Sequence, residues 1–122
     1  MESFTNLAAW KEGMKLVKEV YRLTGKFPKE EVYGLTSQMR RSSSSVLANF
    51  AEGFSRTSTP DKAYKYTIAR GECSETKAFL LIAIELGFLE PEEAKVPIEL
   101  TDHVGRLLSG LISRYTASQP QP

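Results

Sequence analysis

Three helix-breaking signals cut this chain into four segments, and that division constrains the fold more than any other feature. Gly25 followed by Pro28 stops a first apolar-periodic segment. Glycine suits the residue after a helix, and proline cannot continue one. Residues 57–61 then restart a helix. Thr59 or Ser58 can cap it, Pro60 suits its first position, and Asp61 favours the positive end of its dipole. Gly87 closes that segment, and Glu90, Pro91 and Glu93 open the last one. No period-2 strand pattern competes with this reading. A chain of 122 residues, 41% apolar and 25% charged, suits one globular domain with a modest core. The expected fold class is all-α. It is an antiparallel up-down-up-down four-helix bundle over residues 1–116, with a disordered tail at residues 117–122.

Apolar spacing sets expected faces. Helix one, from Asn6 or Leu7 to Thr24, carries the seam Leu7, Trp10, Met14, Val17 and Tyr21, with Asn6 as N-cap. Phe27, Val32 and Tyr33 are expected to fold the next loop over the bundle end. Helix two starts between Gly34 and Thr36 and ends near Arg56. Leu35, Met39, Val46, Leu47, Phe50 and Phe54 share its inner arc, flanked by Ser42, Asn49 and Gly53. Its far side holds Ser44, Ala48, Ala51 and Ser55, where a surface helix would carry Lys and Glu. Either the bundle itself or a second subunit covers that side. Helix three places Tyr64, Ile68, Gly71, Glu75, Ala78, Phe79, Ile82 and Leu86 on one arc. Residues 78–84 are apolar all round, which predicts burial on more than one side. Helix four carries Leu100, Val104, Leu107, Leu108, Leu111 and Tyr115, with Pro97 predicting a kink or a restart.

Little chemistry is visible. The phosphate-loop, dinucleotide, zinc-protease and serine-hydrolase motifs are missing. The single cysteine, Cys73, rules out an internal disulfide and reads as a packed thiol. His103 reads as a surface residue. Arg41, Asn49, Glu52 and Glu75 form the expected polar network, because a carboxylate drawn out of water needs a partner. Its expected role is structural; acid–base or metal work by Glu52 or Glu75 is the minor alternative. No catalytic residue, cofactor or metal is expected. Net charge is +1, yet basic residues crowd the middle of the chain. Arg40, Arg41, Arg56, Lys62, Lys65 and Arg70 are candidate nucleic-acid contacts. Tyr64 fits the core arc better than a base-stacking role. The longest apolar run is far short of a bilayer span, and residues 1–7 show no signal-peptide pattern. The expected location is cytoplasmic, with no membrane partner.

The run from Tyr33 to Arg41, followed by Ala48 to Gly53, resembles the four-helix bundle proteins of the ribosomal RNA intervening-sequence type. Trp10, Lys11, Phe27, Pro28, residues 69–71, Glu75 and residues 86–89 extend the resemblance over nearly the whole chain. Leu47 stands where that family usually has proline, and serines follow the paired arginines. The family is also similar to the accessory variability determinant of diversity-generating retroelements, a pentameric ring that binds nucleic acid and a reverse transcriptase. The resemblance implies a non-enzymatic homo-oligomer, a pentamer, that binds RNA or DNA. The alternative is a structural adaptor for a protein partner.

Overall fold

The computed structural model of the chain describes residues 3–117. It has four helices: α1 Ala8–Thr24, α2 Leu35–Ser55, α3 Thr59–Glu85 and α4 Pro91–Ala117. Each packs on two neighbours, closing the order α1, α2, α3, α4 and back to α1. Short connections make this an all-α four-helix bundle, with no strand among the described residues. The helix ends follow local chemistry. Ser58 Oγ accepts from the Asp61 N–H at 3.2 Å, with Pro60 in the first turn of α3. Glu93 Oε1 accepts from the Glu90 N–H at 3.0 Å and fixes the entry to α4. Gly87 takes a φ of 78°, the left-handed conformation that ends α3. The start of α2 is held by Glu31, whose Oε1 accepts from the Leu35 N–H at 3.0 Å. Asn6 does not cap α1. It lies in a 3-10 turn, Phe4–Asn6, and Leu7 occupies the cap without a side-chain bond.

The core contains Leu16, Val20, Leu23, Met39, Val46, Phe50, Tyr66, Leu80, Val104 and Leu108. Phe50 and Tyr66 stack with ring centroids 5.7 Å apart, and Tyr115 closes on Tyr66 at 5.9 Å. Apolar burial of such side chains contributes about 1.5–3 kcal/mol each. Burial pushes the Tyr66 hydroxyl up to about 12.

Two expected faces are rotated. In α1 the inward residues are Ala9, Gly13, Leu16, Val20 and Leu23. The expected seam is instead peripheral: Leu7, Trp10, Met14 and Val17 are half-buried and Tyr21 is exposed. The two arcs abut, so α1 is apolar across both, and the smaller residues face inward. A Cβ at Gly13 would lie 2.6 Å from Leu47 Cδ2, so the glycine admits α2. Leu47, at the position where the resemblance expects proline, thus packs into the α1–α2 interface.

In α3 the buried residues are Tyr66, Ala69, Cys73, Thr76, Leu80 and Ala83. The expected arc turns outward: Tyr64, Gly71, Ala78, Ile82 and Leu86 are exposed, and Glu75 is half-buried. Small residues on the inner side let α2 and α4 close in. Residues 78–84 are therefore not covered on several sides, since Leu81 is also exposed. Val32 and Tyr33 do not cap the bundle end; only Phe27 does, against Phe88 at 5.5 Å. Helix α4 runs through Pro97 without a restart, and the proline ring is buried. Thr116 and Ala117 continue α4, while residues 118–122 of the expected tail lie outside the described residues.

Candidate functional site

The candidate cations do not form one patch. Arg40 and Arg41 leave opposite flanks of α2. Arg40 lies over the Tyr21 ring at 4.5 Å, and its Nε donates to Thr24 Oγ1 at 2.9 Å. Arg41 turns toward α3, donating to Glu72 at 3.2 Å, to Glu75, and to Gln38 Oε1 at 3.1 Å. Burial and the adjacent Glu75 carboxylate push the Glu72 carboxyl up, against the pull of Arg41.

Arg56, Lys62 and Lys65 gather at the α2–α3 turn. Lys65 Nζ lies 2.8 Å from Glu52 and Arg56 Nη2 3.8 Å from it. The Lys65 hydrogen bond holds Glu52 below the usual carboxylate range. Lys62 donates to the Gly53 and Phe54 carbonyls at 3.2 and 2.7 Å. There a cation meets the negative end of the α2 dipole. Burial lowers the Lys62 pKa. Exposed Tyr64 joins Arg56, Asp61 and Lys65 around a shallow pocket of 230 Å³.

The expected polar network separates into three pieces. Arg41 and Glu75 meet, but Asn49 donates only to Ser45, at 2.9 Å to the carbonyl and 3.0 Å to Oγ. Glu52 pairs at the turn instead. Glu75 is not deeply buried: its side chain is 38% exposed, because α3 directs it outward. A fully buried polar contact lies elsewhere on the α2–α3 seam, Ser42 Oγ to Thr76 Oγ1 at 2.8 Å.

Arg70 belongs to a site that reasoning from spacing missed. It reaches Ser109 Oγ at 3.3 Å across a cleft of 490 Å³ between α3 and α4. Lys77, one heptad later on α3, faces Asp102 at 2.8 Å, and Arg106 follows Asp102 by one turn on α4. That heptad step and that one-turn step were the available signal. Cys73 lies at this cleft and donates to the Thr101 carbonyl at 3.2 Å. Burial pushes its thiol up to about 11, so it stays protonated and weakly nucleophilic. No group of side chains among the described residues has a metal-ligand arrangement.

The family model described as 23S rRNA-intervening sequence protein matches residues 5–110. A crystal structure of a protein of unknown function from the S23 ribosomal protein family of Bacteroides thetaiotaomicron superposes with a TM-score of 0.79. The two are 21% identical, and the match covers 86% of this chain and 98% of that one. This likeness concerns the fold. No curated protein matches the chain.

Proposed function

The chain belongs to the 23S rRNA-intervening sequence protein family, and from that premise we propose a non-enzymatic four-helix bundle that works as a homopentamer binding RNA or DNA through its basic surface. The observation that carries the assembly is the outward face of α3. Leu81, Ile82 and Leu86 are 46%, 43% and 58% exposed there, with Ala78 beside them. On α2, Ser44, Ala48 and Ser55 are also exposed and uncharged. Faces of this kind favour burial against another copy, and closed symmetry covers them without fibres. The pentameric number rests on the resemblance alone. Repetition around a ring would multiply the Arg56, Lys62 and Lys65 cluster and add avidity. The non-enzymatic reading is supported by Glu52 and Glu75, which pair with separate cations on the surface. A cytoplasmic location belongs to the same proposal; no helix among the described residues is long and apolar enough to cross a membrane.

Light scattering on the purified chain tests the assembly, and binding to structured RNA and duplex DNA at graded salt tests the rest. A pentamer with salt-sensitive, sequence-tolerant binding is expected. A monomer at micromolar concentration removes both parts. The adaptor alternative has an observation of its own: each of the six candidate cations already has a partner within the chain. An oligomer without affinity for either nucleic acid would select it.

A further inference from the structure

We propose that the α3–α4 cleft is a phosphate-binding site, with Arg106 and Arg70 as its principal ligands. Three cationic side chains line it, Arg70, Lys77 and Arg106, against the single carboxylate Asp102. Lys77 already holds that carboxylate at 2.8 Å. Arg70 is positioned by a neutral hydroxyl, Ser109 Oγ, so its charge is not cancelled. Arg106 has no ion pair among the described residues. Guanidinium forks match phosphate oxygens in pairs, and Ser74 and Ser109 add hydroxyl donors.

Gly105 supplies the second argument. Glycine is a poor interior helix former, and here packing does not require it. A Cβ built on Gly105 would meet no atom within 4 Å, so Gly105 lines the cleft without admitting a neighbouring helix, and a long side chain there has room to extend into the cleft.

The phosphate is either a phosphodiester of an RNA strand or that of a free nucleotide; the recognising chemistry is the same. Only the RNA source rests on the nucleic-acid reading above. The full-length chain, labelled with nitrogen-15, is titrated with inorganic pyrophosphate and separately with a short mixed-sequence single-stranded RNA. Both probes are expected to move the Gly105 and Arg106 amide signals. Gly105→Leu should abolish the pyrophosphate response. Arg106→Gln should reduce the slope of log affinity against log salt for RNA by about 0.7, one phosphate contact. Lys18→Gln, on exposed α1, should change neither. A response to pyrophosphate without RNA binding keeps the cleft as a small-anion site and removes the nucleic-acid reading. RNA binding that leaves the cleft signals still and is indifferent to Arg106→Gln overturns the cleft and keeps that reading. Silence toward both probes overturns the cleft.

Discussion

The two flanks of α3 are built in opposite ways, and a pair of glycines shows the difference. Toward α2 the contact is closed. A Cβ on Gly53 would lie 2.7 and 2.9 Å from Tyr66 ring carbons and 3.2 Å from Lys65 Cβ. Ser42 and Thr76 bond across the same seam, and Arg41 bridges to Glu72 and Glu75 at its edge. Toward α4 the equivalent position is open, with Gly105 facing empty space above a basic cleft. Gly53 is required by the close approach of α3, whereas a side chain at Gly105 would meet no neighbour. The closed flank therefore reads as stability and the open flank as the place where a ligand enters.

The largest expected effect comes from the Tyr66 ring, which packs against Phe50 of the closed flank and also reaches Tyr115 of α4. Tyr66 is 1% exposed and contacts Phe50 and Tyr115. Tyr66→Ala should cost about 3–5 kcal/mol in urea unfolding, the range for emptying an aromatic site in a core. Gly53→Ala should follow. The added methyl meets a ring that cannot rotate away, at about 1–3 kcal/mol, offset by about 0.5–1 kcal/mol of helix propensity. A neutral result would mean the α2–α3 seam is looser than its distances say. Thr76→Val should cost about 1 kcal/mol, because Ser42 keeps its bond to the Met39 carbonyl at 3.3 Å. The Ser42→Ala, Thr76→Val double variant should then cost less than the sum of its singles.

Apart from the start of α1, where Asn6 falls in a 3-10 turn instead of capping, the helix ends were legible because their causes are local. Ser58, Pro60, Gly87 and Pro91 each act within one turn, and no distant contact is needed to interpret them. The inward faces of α1 and α3 were not, since each helix has apolar residues on two adjoining arcs. Which arc turns in depends on neighbours, such as Leu47 over Gly13. The candidate cations could be named from composition, but their sorting onto four separate places requires the register between helices. Arg41 meets Glu72 and Glu75 across 31 and 34 residues of chain, and Lys77 meets Asp102 across 25. The α3–α4 cleft was hidden for the same reason, and Gly105 carried no sign of which side it opened.

On the open flank, Gly105→Ala should raise stability by about 0.5–1 kcal/mol, the reverse of Gly53→Ala, because it relieves a poor helix former and touches nothing. Thermal melting of the two alanine variants side by side is the most direct contrast between the flanks. A destabilised Gly105→Ala would mean the cleft wall is packed after all.

The smallest effect is expected at Glu75. Its side chain is 38% exposed, and Arg41 keeps Glu72 when Glu75 is removed. An exposed pair of this kind is worth about 0–1 kcal/mol. A second consequence works against even that cost. The Glu75 carboxylate is one of the groups that push the Glu72 pKa up. A carboxyl raised above its unfolded value contributes stability at acid pH that is lost as pH rises through the folded pKa. Removing Glu75 lowers the Glu72 pKa and recovers part of that loss at neutral pH. Glu75→Ala should therefore change stability by less than about 1 kcal/mol at neutral pH, while the Glu72 titration followed by carboxyl NMR moves downward. A large loss of stability with an unmoved Glu72 titration would instead make Glu75 a structural member of the closed flank.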